Sequence, residues 1–131
     1  MGRVETELRQ EGVAVRTGTL FTDSAGNYAI LDVAPGTYNV AFKASHWLRA
    51  VVPNVTVVSA DVTGVDASLT NGDVDGDNEV TLFDFGELVA AFGSMPGDAN
   101  WNPNADLDGD GEVTLYDFGI LVRSFGAIGD D

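Results

Sequence analysis

The sequence predicts an all-β sandwich of about seven short strands over residues 1–70, followed by a small α module of two loop–helix repeats over residues 71–131. Three observations predict it. Apolar and polar residues alternate in the first segment between clusters of turn formers. The second segment contains one pattern twice. The charge also changes abruptly: residues 1–70 hold seven acidic and five basic side chains, whereas residues 71–131 hold fourteen acidic and one basic.

Strand material runs from Val4 to Leu69. Tyr38, Val40 and Phe42 alternate with Asn39, Ala41 and Lys43, the period-2 pattern of a half-buried strand. Tyr28-Ala29-Ile30-Leu31, the pair Val55 and Val57, and the pair Val62 and Val65 read as further strands. Asp23-Ser24-Ala25-Gly26-Asn27 and Ala34-Pro35-Gly36 supply turns. The run from Asp23 to Val40, with "D-x-x-G-x-[YF]" followed by "P-G-x-Y-x-V", resembles the carboxypeptidase regulatory-like family. That resemblance implies an immunoglobulin- or prealbumin-like sandwich with no catalytic group, of the kind that serves as spacer or companion module.

Of the 131 residues, 44% are apolar, enough for a core, and the formal net charge is −15. Such a chain is repelled by nucleic acid and by anionic membranes. The absence of cysteine excludes disulfides, thiolate zinc sites and a cysteine nucleophile. His46, the single histidine, cannot form a multi-histidine metal centre and is expected on a strand surface. No apolar run reaches the 18 to 20 residues or so of a membrane span. The first seven residues lack the apolar core of a signal peptide. The chain therefore reads as an excised piece of a larger protein.

The repeat carries the chemistry. Residues 73–93 and 106–126, an offset of 33, share fifteen identities in twenty-one positions. Each copy opens on a twelve-residue loop with aspartate at positions 1, 3, 5 and 12: Asp73, Asp75, Asp77 and Asp84, then Asp106, Asp108, Asp110 and Asp117. Position 7 offers the backbone carbonyl of Glu79 or Glu112, and position 9 offers Thr81 or Thr114, directly or through water. This is the spacing by which an EF-hand-type loop surrounds calcium with oxygens, so two Ca2+ ions are expected. Position 6, a sharp turn, is Asn78 or Gly111. Position 8, Val80 or Val113, is apolar and is expected to pair with its counterpart in the other copy.

A helix is expected after each loop. Leu82, Phe85, Leu88, Val89 and Phe92 recur at spacings of three and four, as do Leu115, Phe118, Leu121, Val122 and Phe125, and these stripes are expected to face the core. Gly93 and Gly126 stand at the C-caps. Gly86 and Gly119 lie mid-helix, where glycine costs about 1 kcal/mol relative to alanine; close approach of another backbone would account for them. Asn71-Gly72 and Asn100-Trp101-Asn102-Pro103-Asn104, which precede the loops, are turn sequences. The entering helix that a calmodulin-like sensor requires is missing.

Two loop-plus-exiting-helix units in about 60 residues resemble the dockerin family, whose "G-D-x-[DN]-G-D-x-x-[VI]-x-x-x-D" occurs from Gly72 to Asp84 and again from Ala105. The resemblance implies a non-catalytic, calcium-dependent module that docks onto a cohesin partner. It further implies a monomer before docking, in a secreted or surface-attached bacterial system that degrades polysaccharide. In the family, recognition falls on loop positions 10 and 11 and on the outer helix face. These correspond to Leu82, Phe83, Glu87 and Ala90, and to Leu115, Tyr116, Ile120 and Arg123. Many cellulosomal dockerins carry small hydroxyl residues at the recognition pair, where this chain has leucine and an aromatic. Phe83 and Tyr116 can also pack within the chain. A second reading keeps the calcium but makes the module a rigid spacer. A third, a glycosidase carboxylate pair, fails because the clustered acids are better used as ligands.

Overall fold

The computed structural model describes residues 2–131. It divides into two compact units, one comprising residues up to 44, 49–69 and 131, the other residues 45–48 and 70–130.

The first unit is built on a four-stranded antiparallel sheet in the order β2-β1-β3-β4, with β1 Arg3–Gln10, β2 Val13–Phe21, β3 Gly36–Lys43 and β4 Ala50–Val57. Glu11 and Gly12 join β1 to β2 with both φ angles positive (52° and 77°), the two-residue hairpin turn whose twist matches its strands. Pro53, which cannot donate a ladder hydrogen bond, lies on the edge strand β4.

Tyr38, Val40 and Phe42 are buried on one face with Leu8 of β1, as their alternation predicts. Full burial of side chains this size contributes about 1.5–3 kcal/mol each. Tyr28, Ile30, Val33, Val65, Ala67 and Leu69 pack on this cluster from two segments that carry no ladder. Tyr28 meets Phe42 edge-on with ring centroids 5.5 Å apart. It also ties the two segments together, donating its hydroxyl to the Val65 carbonyl at 2.6 Å.

Among the described residues there are thus four strands where about seven were expected. Neither Tyr28–Leu31 nor Val62–Val65 joins a ladder: Tyr28, Ile30 and Val65 pack on the core, whereas Leu31 and Val62 are exposed. Positive φ at Asp32 (57°), just past the first segment, and at Gly64 (74°), within the second, departs from strand geometry.

The second unit holds two ten-residue helices, α1 Leu82–Ala91 and α2 Leu115–Ser124, each following one twelve-residue loop. Helices this short are marginal alone in water, so packing and the loops must hold them. The core joins Leu48, Val74, Val80, Leu88, Ala91, Ala105, Leu107, Val113 and Leu121, with Phe85 and Phe118 meeting edge-to-face at 5.5 Å.

Only part of each expected stripe faces inward. Leu88 and Leu121 are fully buried, and Phe85 and Phe118 pack against the core. Leu82, Val89 and Phe92, with Leu115, Val122 and Phe125, are exposed. The phase of each helix is set by Asp84 or Asp117, which must turn back toward its own loop and is completely buried in doing so. Among the described residues no helix is long and apolar enough to cross a membrane.

Candidate metal centres

Each loop gathers four carboxylates. Asp73, Asp75, Asp77 and Asp84 place one oxygen each within 4.8 Å of one another, and Asp106, Asp108, Asp110 and Asp117 do the same. Backbone amides arrange them. In the first loop Asn78 N–H donates to Asp73 Oδ2 at 3.0 Å, Asp77 N–H to Asp75 Oδ1 at 3.1 Å and Glu79 N–H to Asp77 Oδ1 at 3.0 Å. The second loop repeats this, with Gly111 N–H on Asp106 Oδ2 at 2.9 Å, Asp110 N–H on Asp108 Oδ1 at 3.2 Å and Glu112 N–H on Asp110 Oδ1 at 2.9 Å. The turn at position 6 is left-handed in both copies, φ 71° at Asn78 and 87° at Gly111, a conformation asparagine and glycine accept more readily than other residues.

The position-12 aspartates hold loop and helix together. Asp84 accepts the Asp75 amide at 3.0 Å on one oxygen and the Thr81 amide at 2.7 Å on the other. Asp117 accepts the Asp108 and Thr114 amides at the same distances. Thr81 and Thr114 return the bond as N-caps, completing a capping box in each copy. The Thr-x-x-Asp spacing that announces this cap lies in the sequence beside the ligand pattern that overshadows it. Each aspartate also sits in the first turn, where the helix dipole favours negative charge.

Val80 and Val113 do not pair with each other. Val80 N–H donates to the Ala127 carbonyl at 2.9 Å, and its carbonyl accepts from Gly126 N–H at 2.8 Å. Val113 N–H donates to the Ser94 carbonyl at 3.0 Å and its carbonyl accepts from Gly93 N–H at 2.7 Å. Each loop is therefore clasped by the residues that leave the opposite helix. Gly93 and Gly126 make this exit with φ of 79° and 88°.

Asn71 is a positioning residue that the pattern of acids does not reveal. Its Nδ2 donates to the Leu107 carbonyl of the second loop at 2.7 Å, and its Oδ1 lies 2.7 Å from His46 Nδ1. The His46 carbonyl accepts the amides of Gly72 and Asp73, both at 3.0 Å. His46, expected on a strand surface, instead braces the start of the first loop.

Desolvation, reinforced by Asp77 and Asp84, pushes the Asp75 carboxyl from 3.8 up to about 7. Asp106 is raised by desolvation and by its neighbours Asp108, Asp117 and Asp110. Arg123, the one basic side chain after residue 70, donates to the Gly119 carbonyl within α2. Four hard oxygen donors converging on one point, without a lysine or arginine from this part of the chain placed to neutralise them, suit a divalent cation such as calcium.

Beside the loops, the predicted recognition residues Leu82, Phe83, Leu115 and Tyr116 are 70%, 74%, 71% and 77% exposed. Phe83 and Tyr116 therefore do not pack within the chain. Glu87, Ala90 and Arg123 are exposed too, whereas Ile120 packs partly on the core.

Residues 71–126 match the family described as the dockerin type I domain. Two solved structures are similar over nearly the whole chain, both from Acetivibrio cellulolyticus. One is a C-terminal interface mutant of a type II cohesin–X–dockerin complex, with TM-score 0.75 and 30% identity over 96% of this chain and 82% of that one. The other is an N-terminal interface mutant of such a complex, with TM-score 0.67 and 27% identity over 98% and 83% of the two chains. No match was found among curated proteins. With its paired aspartate loops, their capped exiting helices and this likeness, the chain belongs to the dockerin family.

Proposed function

We propose that this chain is a non-catalytic, calcium-dependent docking module that binds a cohesin-type partner. In this reading residues 71–131 form the docking domain and residues 1–70 its companion. The packing of Tyr28, Ile30, Val33, Val65, Ala67 and Leu69 on the β1–β4 sheet supports a carboxypeptidase regulatory-like sandwich for residues 1–70. Two calcium ions are held by Asp73, Asp75, Asp77 and Asp84 and by Asp106, Asp108, Asp110 and Asp117. The Glu79 and Glu112 carbonyls and Thr81 and Thr114 complete the shells. Such sites stay loaded where calcium is near millimolar, which favours an extracellular setting. Attachment of a larger secreted bacterial protein, one that degrades polysaccharide, to a scaffold or cell surface is the role this supports.

The observation that carries the reading is the position of the exposed apolar side chains. Leu82, Phe83, Leu115 and Tyr116 immediately follow the loop threonines, so metal that orders the loops also orders this surface. Clustered apolar exposure of this kind marks an interaction site, and a rigid spacer has no use for it. Isothermal titration of the chain against a panel of type I and type II cohesins tests the proposal. Binding in calcium that disappears with chelator is expected, with Phe83→Ala and Tyr116→Ala each weakening it. Absence of binding to every member at saturating calcium would overturn it.

A further inference from the structure

We propose that Gly86 and Gly119 are affinity-determining positions at which the cohesin-type partner touches the helix backbone; this rests on the docking reading and adds where on the face the approach is closest. At about 100° per residue, Gly86 lies opposite Leu88, and Gly119 opposite Leu121. Since Leu88 and Leu121 are fully buried, the glycines lie on the outward faces, Gly86 exposed and Gly119 half-buried. Around them stand Leu82, Phe83 and Val89 on α1, and Leu115, Tyr116 and Val122 on α2, all more than half exposed. α1 thus presents a shallow saddle with apolar walls and a floor of bare main chain, and α2 presents the same saddle with the Gly119 carbonyl bonded by Arg123 Nε at 3.3 Å.

Nothing within the chain accounts for that floor. A Cβ built on either glycine meets no atom within 4 Å. Neither glycine has positive φ, unlike Gly93 and Gly126, whose helix exits need it. For this chain alone, alanine would be the better helix former at both places. The outer neighbours differ between copies, Glu87 against Ile120 and Ala90 against Arg123, while glycine is kept in both. What a Cβ would obstruct is a partner seated between the walls, as the cohesin module is the partner in both similar complexes.

The test uses the full chain as Gly86→Ala, Gly119→Ala and the double variant, measured for Tm, calcium stoichiometry and affinity for the cohesin that binds best. The expected result for the double variant is a raised Tm, unchanged calcium stoichiometry and affinity reduced tenfold or more. Affinity within twofold of the parent chain would overturn the proposal while leaving docking intact. Loss of affinity accompanied by a lower Tm or lost calcium would also overturn it, because the glycines would then serve the fold. If the parent chain binds no cohesin, the docking reading fails and this proposal falls with it.

Discussion

Stripping divalent cations from this protein should melt the helical unit. The four carboxylates of one loop form six pairs within 4.8 Å. At that distance two unit charges repel by about 0.9 kcal/mol in bulk water and about 3.5 kcal/mol at an effective dielectric of about 20. A fully ionised loop therefore carries repulsion on the order of 5 to 20 kcal/mol. Folded domains are stable by roughly 0.05–0.15 kcal/mol per residue, or about 3–9 kcal/mol for a unit this size. Even the screened value matches the whole stability, and ten-residue helices cannot persist without support. Far-ultraviolet circular dichroism with amide hydrogen exchange reads the outcome. At pH 8, where the loop is fully ionised, chelator should abolish the helical signal and the protection of Leu88 and Leu121, while the amides of β1 and β3 stay protected. Two equivalents of calcium should restore both. Helix content and Leu88 protection unchanged by chelator would refute the electrostatic reasoning.

Three further outcomes are expected. Asp75 titrates near 7 in the folded, metal-free loop against 3.8 ordinarily, so folding without metal takes up a proton. Stability from this source is full below about 3.8 and is lost as pH rises through about 7. Helical signal in chelator should therefore be partly retained at pH 5 and lost at pH 8, whereas calcium-loaded protein should melt at a higher temperature at pH 8 than at pH 5. Asp106→Ala should reduce the calcium stoichiometry from two to one by calorimetry, and Asp73→Ala likewise. Leu88→Ala should cost about 2–5 kcal/mol in denaturant unfolding with calcium present, and Val89→Ala about 0.5 kcal/mol or less. Equal costs would contradict the helix phase described above.

The two carboxylate clusters were legible because a loop that gathers four acids needs a fixed spacing that survives in one dimension. The same is true of β3, where Tyr38, Val40 and Phe42 alternate cleanly and are buried as expected. The inward face of each helix was not. Leu82, Phe85, Leu88, Val89 and Phe92 fall within about 120° of one another on α1, yet the buried residues Asp84, Leu88 and Ala91 lie to one side of that stripe, so hydrophobic period alone phases the helix wrongly. The decisive residue is a polar one, Asp84, which is held by its loop and carries Leu88 inward with it. The strands expected at Tyr28–Leu31 and Val62–Val65 failed for a different reason. Composition reports that some side chains of a segment will be buried, whereas a ladder also needs a partner with free backbone groups at the right register. The crossed bonds of Val80 and Val113 were hidden because the residues they meet, Gly126-Ala127 and Gly93-Ser94, announce only helix ends.

Those crossed bonds make the duplication indivisible. Asn78 of the first loop reaches the Asp130 carbonyl, 52 residues along the chain, and the Val80 clasp spans nearly as far. A peptide holding one loop and its own helix would contain every ligand yet lack the helix-exit segment that closes it. Two such peptides would supply the missing segments to each other, reproducing the clasps as a symmetric dimer. In the tandem chain the closure is intramolecular, so neither half can finish folding before the other has formed its helix.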